Sequence, residues 1–181
     1  MVLDASRRGL AVFNELSESD AKAAVASCCP WPEWGESVVA LRPYGDASEL
    51  ELAAADAIAA ISDGDLPLVL NQFPPIAVDG GARTRAAQWS REEESGVHGS
   101  EASLKESLIR TGAEYRERFG YTFVVAATGL EGTDVLSVMR ERLTSDPKDE
   151  LAESRRQLDR ICRMRVAKLL PQLDPRANAA H

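Results

Sequence analysis

The sequence predicts an all-α fold, a single-domain bundle of about eight helices, and three observations predict it. Hydrophobic residues make up 44% of the 181, with alanine and leucine prominent, while aromatics reach only 6%. That balance suits packed helices better than a sheet built from aromatic and β-branched side chains. Cap and breaker residues then divide the chain into segments of helical length. Finally, the one stretch with clear strand propensity, "YTFVVAATG" at 121–129, finds no convincing partner elsewhere, and a lone strand is not stable. It is expected as an extended connector or a buried helical piece.

The first dozen residues read as a loose lead-in, with Phe13 as the first anchor. Ser17, followed three residues later by Asp20, gives a capping-box-like start. The helix it opens, "ESDAKAAVASCC", stops before Pro30. "PWPEWGESVVALRPYGD" reads as a short helix carrying Trp34, Val38, Val39 and Leu41, closed by Pro43 and Gly45. Ser48 opens an alanine-rich helix that ends around Asp63–Gly64, and Pro74 and Pro75 cut off the apolar "LPLVLNQF". From Ala77 to Arg85 the glycines and polar residues predict a loop, and a short helix follows from Ser90. A stronger helix spans about Glu101 to Phe119, with Leu104, Leu108 and Tyr115 on one face and Gly120 at its end. Thr133 can cap "DVLSVMRERLTS". Asp146 before Pro147 is the N-cap-plus-proline start of the last and longest helix, expected to reach about Leu170, with a frayed tail over 172–181.

At 181 residues one domain spanning 1–181 has enough chain to bury a core. The net charge of −8 opposes binding to a phosphate backbone. The arginine-rich stretch from Arg155 to Arg165 is interrupted by apolar residues at helical spacing and reads as a helix face, so no nucleic-acid partner is expected. No apolar run approaches the ~20 residues of a membrane span and no signal peptide is evident, so the expected setting is the cytoplasm, without membrane association. Cys28, Cys29 and Cys162 lack a supporting Cys/His cluster and read as small buried hydrophobes, with no metal site.

Several stretches fall into one family pattern. "SCCPWPEWGESVVALRPYGD" resembles an early segment with cysteines, a tryptophan and an Arg-Pro-aromatic ending. "FPPIAV" sits where a His-Pro motif stands, "WSREEESGV" resembles a Ser-x-x-Glu-Gln motif, and "EYRERFGYTFVVAATG" resembles a Tyr-x-x-x-Phe-Gly segment. "RERLTSDPKDELAESRRQLDRICRMRVAKLL" resembles the closing helices. Together they cover nearly the whole chain in order, and on them the chain resembles the OHCU (2-oxo-4-hydroxy-4-carboxy-5-ureidoimidazoline) decarboxylase family. The resemblance implies an all-α, cofactor-free enzyme, usually a homodimer, acting on a small-molecule substrate late in urate breakdown and yielding S-allantoin. In such enzymes the motif histidine and glutamate handle protons, while arginine and nearby amides hold the anionic substrate.

Matched residue by residue, Glu93 falls on the motif glutamate and Ser90 on the motif serine, a pair that also reads as a capping box. Glu94 stands at the glutamine position, where an ionised carboxylate cannot donate a hydrogen bond. Phe73 replaces the histidine, with Pro74 keeping the register, and Ala77 departs from the same motif. Phenylalanine transfers no proton. His98 is the other histidine in the body of the chain, a compensating acid/base or a solvent-exposed loop residue; His181 lies in the tail. Leu158, Ile161, Arg165 and Leu169 share one face of the last helix. Arg165 on that stripe needs a partner, a substrate carboxylate or an internal acid such as Glu93. Thr128 aligns loosely with another polar contact, and Trp34 and Trp89 read as core. Three functions follow: a diverged enzyme with a new substrate or reaction, a genuine OHCU decarboxylase, or a non-catalytic protein on the same fold.

Overall fold

The computed structural model describes residues 2–75 and 98–176, with side chains over 5–75 and 102–176. Among these residues the protein is entirely helical between its loops. The described residues form eight helices: α1 (Val2–Glu15), α2 (Glu18–Ala26), α3 (Pro32–Ala40), α4 (Ala47–Ala59), α5 (Leu66–Leu70), α6 (His98–Phe119), α7 (Gly132–Arg142) and α8 (Pro147–Leu173). They group into two compact units, one drawn from Met1–Ser62 and Leu158–His181, the other from Asp63–Gln157.

In the first unit, α2 starts as its sequence requires, with Ser17 Oγ accepting the Asp20 amide at 3.1 Å. The cap of α4 differs from expectation. Asp46, not Ser48, accepts the Glu49 amide at 3.0 Å, and the Glu49 carboxylate reaches back to the Gly45 amide at 2.6 Å. This helix also ends at Ala59, short of Asp63–Gly64. Leu41 is the C-cap of α3 and is exposed, while Trp34 is fully buried and donates to the Ala54 carbonyl at 3.0 Å.

The residues expected as a loose lead-in are helix α1, with Leu10 and Phe13 buried. Gly9 explains how α1 lies so close to α8, because a Cβ there would land on the Leu170 carbonyl oxygen. Arg8 donates to Asp174 from Nε at 2.9 Å and from Nη2 at 2.7 Å. The expected fraying from 172 is likewise corrected: α8 runs through Pro171 to Leu173, and Asp174 is buried. Residues 177–181 lie outside the described residues. Arg42 closes the other end of α1, donating to the carbonyls of Phe13 (2.7 Å) and Leu16 (2.8 Å).

In the second unit, α6 ends at Gly120 with φ +82°, a left-handed conformation that glycine adopts without steric cost. Tyr121, Thr122, Phe123 and Val124 follow as a buried extended connector, one of the two forms expected for the strand-like stretch. Helix α7 is capped at Glu131, whose amide donates to Asp134 Oδ2 at 3.0 Å, so Thr133 lies inside the first turn. Asp146 caps α8 as expected, accepting the Lys148 amide at 2.9 Å.

A buried ionic cluster ties this unit together. Arg142 donates to Glu150 Oε1 from Nε (2.9 Å) and Nη2 (2.6 Å), to the Ser154 hydroxyl (3.0 Å) and to the Val124 carbonyl (2.8 Å). The Tyr115 hydroxyl donates to the same Glu150 oxygen, and the Phe123 ring lies 4.6 Å from the guanidinium. One arginine thus joins α6, α7, α8 and the connector. The guanidinium's donors find acceptors, which offsets part of the cost of burying two charges, whereas Glu150 Oε2 is buried with no hydrogen-bond partner among the described residues.

Candidate functional site

Phe73 lies just past α5. That helix opens with a proline in its first turn, where the missing amide hydrogen costs nothing. It closes in overlapping turns, with Gln72 N–H donating to Val69 O (3.0 Å) and Phe73 N–H to Leu70 O (3.2 Å). The Phe73 ring is only 7% exposed, and Pro74 beside it is exposed. A buried phenyl ring at this point supplies volume and an apolar wall but neither accepts nor donates a proton.

Arg165, on α8 in the other unit, is half-buried on a face whose neighbours Leu158, Ile161 and Leu169 are buried. Among the described residues, Arg165 Nη1 donates to the carbonyls of Cys28 (3.3 Å) and Ser27 (3.5 Å), at the C-terminal end of α2; Glu93, the internal acid expected as its partner, lies outside the described residues. A cation suits that end of a helix, where carbonyls are left without intrahelical donors. Beside it opens a pocket of about 380 Å³ lined by Ser27, Arg165, Lys168, Leu169 and Gln172. Four of these fall at i, i+3, i+4 and i+7 on α8, one face of a helix. Two cations, an amide and a hydroxyl around a small concavity suit a small anion.

Cys28, Cys29 and Cys162 are buried as expected. Cys162 hydrogen-bonds Cys29, and that contact together with burial pushes its thiol well above the ordinary range. Among the described residues no three His, Cys, Asp or Glu side chains converge to hold a metal ion. Trp34 is core, as expected, and Thr128 is exposed. Ser90, Glu93, Glu94, Trp89 and Ala77 lie outside the described residues. His98 opens α6, and its side chain lies outside them too. Sequence reasoning missed Ser27, Lys168 and Gln172. The signal for the last two was their spacing of three and seven from Arg165, although an exposed lysine and glutamine on a helix ordinarily mark only a solvated face.

Residues 14–167 match the family model described as OHCU decarboxylase. The chain belongs to the OHCU decarboxylase family. A putative 2-oxo-4-hydroxy-4-carboxy-5-ureidoimidazoline decarboxylase of Homo sapiens is 30% identical over 138 residues, covering 74% of this chain and 78% of that protein. The 2-oxo-4-hydroxy-4-carboxy-5-ureidoimidazoline decarboxylase of Amia calva is 24% identical over 132 residues, covering 71% of this chain and 75% of its own length. A crystal structure of OHCU decarboxylase in the presence of (S)-allantoin superposes with a TM-score of 0.63 at 21% identity, over 80% of this chain and 95% of that one. The all-α fold of the OHCU decarboxylase family is therefore the fold of this protein.

Proposed function

We propose that this chain is a cofactor-free OHCU decarboxylase-like enzyme acting on a small heterocyclic or ureido acid, a diverged member with an altered substrate or reaction. The observation that carries this reading is the buried Phe73, which stands at the family's histidine position and is followed by the retained Pro74. Removing a general acid/base lowers a rate by roughly 10²–10⁴-fold, so the same chemistry on the same substrate is disfavoured. The buried ring favours a substrate group more apolar than one that meets imidazole.

The remaining roles follow the chemistry. Decarboxylation needs a grip on the carboxylate, a sink for the electron pair left when carbon dioxide departs, and an acid to protonate the carbon. Arg165, with Lys168 beside it, supplies the grip. A heterocyclic substrate supplies the sink, so no metal or pyridoxal is required. Glu93 handles the proton, with Ser90 and Glu94 as substrate contacts and His98 as a compensating acid/base. We place the active form as a homodimer in the cytoplasm. No helix among the described residues is long and apolar enough to cross a membrane.

A second reading, genuine OHCU decarboxylation yielding S-allantoin in urate catabolism, is favoured by the cationic pocket around Arg165 and Lys168, because OHCU carries a carboxylate. Turnover of freshly generated OHCU, followed by circular dichroism of the allantoin formed, separates the two. A wild-type rate no better than the spontaneous one supports divergence, and rapid formation of S-allantoin supports the second reading.

A further inference from the structure

We infer that Asn71 is a positioning residue for the Phe73–Pro74 segment, an inference that rests on the reading of Phe73 as a site residue. Asn71 is the C-cap of α5, two residues before Phe73. Its side-chain oxygen accepts three hydrogen bonds: from Arg116 Nη2 at 2.9 Å, from the Thr122 amide at 3.0 Å and from the Thr122 hydroxyl at 3.2 Å. Its side-chain nitrogen donates to the Gly120 carbonyl at 3.3 Å. Arg116 also donates to the Thr122 hydroxyl at 2.9 Å, so the three side chains form a closed ring of hydrogen bonds.

The geometry has a direction. Gly120 and Thr122 flank the turn where α6 ends and the buried connector begins, and Thr122 is only 4% exposed. That turn is anchored by the aromatic contacts of Tyr121 and Phe123 with Tyr115. Asn71 is exposed, and α5 has only five residues, too few to hold its own shape without tertiary contacts. The rigid partner is therefore the α6 turn, and the positioned one is the end of α5. Beyond Asn71 the backbone bonds of Gln72 and Phe73 run back into α5, so fixing Asn71 fixes the point from which the Phe73 ring projects. Only an amide both accepts from an amide hydrogen and a guanidinium and donates to a carbonyl in this arrangement. A residue that sets the placement of a site wall acts on rate through geometry, since small displacements of a positioned group are costly.

Two variants of the full-length protein test this. Asn71→Leu removes every bond at similar size, and Asn71→Asp keeps the acceptor while losing the donor to Gly120. Amide hydrogen exchange is read at Gln72 and Phe73 and compared with the middle of α6. The expected result is exchange faster by about tenfold or more at those two amides in Asn71→Leu, with α6 unchanged and Asn71→Asp intermediate. Unchanged exchange at Gln72 and Phe73, or a uniform rise across α6 as well, overturns the inference. In a Phe73→His background, adding Asn71→Leu is expected to lower kcat for OHCU about tenfold while leaving KM near its parent value. An unchanged kcat also overturns it. Should Phe73→His alone show no decarboxylation, the functional reading of Phe73 fails, while the exchange measurement still decides the role of Asn71.

Discussion

A phenylalanine in place of a histidine removes both a proton carrier and a polar contact, and in exchange contributes a ring that is held out of water. Phe73 is buried where the backbone turns of α5 close, so the fold accommodates a phenyl ring at this position. Restoring the imidazole by Phe73→His is expected to raise decarboxylation of OHCU by roughly 10²-fold or more over the wild-type protein. Glu93→Gln is expected to abolish turnover of the natural substrate while leaving the melting temperature within about 2 °C, measured by assay and thermal melt on one preparation. A lower melting temperature with activity spared would make Glu93 a cap and nothing more. At this scale the sequence is least informative where contacts decide. Arg165 could be identified as an arginine on an apolar stripe. That its hydrogen-bond partners include the carbonyls closing α2 depends on how that helix ends beside α8, which no local pattern encodes.

Helix ends and periodicities carry most of the fold. The caps at Ser17 and Asp146 and the glycine at 120 were legible because each satisfies backbone groups within a few residues of itself. Helix α1 was not legible, because what holds it is distant. Its Arg8 pairs with Asp174, 166 residues away, and its Gly9 allows contact with the Leu170 backbone. Gly9→Ala is accordingly expected to destabilise the protein by about 1–3 kcal/mol, read by denaturant melts, since neither backbone can yield easily. Arg8 also holds the Asp174 carboxyl below its ordinary value of 3.8. With the folded value depressed, the pair's contribution is full above the unfolded pKa and is lost as pH falls through the folded one. The melting-temperature gap between wild type and Asp174→Asn should therefore be open at neutral pH and close as pH drops below about 4. Arg142 and Glu150 are a second long-range feature hidden in the sequence, where they read as ordinary charges on amphipathic helices. Their burial follows from Tyr115, Ser154 and Phe123 arriving from other elements. Glu150→Ala is expected to cost about 3–5 kcal/mol, because it strands a buried guanidinium.

For the molecule as a whole, the family fold persists, and the proposed function turns on reading Phe73 at the family's proton-handling position. The profile match over residues 14–167 and the all-α fold mean that the scaffold of the OHCU decarboxylase family is intact. The buried cluster around Arg142 and the clamp from Arg8 to Asp174 tie distant parts of the chain together. The proposed change of task leaves room for anion recognition at the pocket lined by Arg165 and Lys168. The most direct test is a side-by-side rate of S-allantoin formation from freshly generated OHCU by wild type and by Phe73→His. The account predicts a wild-type rate near the spontaneous one and a Phe73→His rate roughly 10²-fold or more above it. A wild-type protein that already decarboxylates OHCU rapidly, with Phe73→His adding nothing, would contradict it.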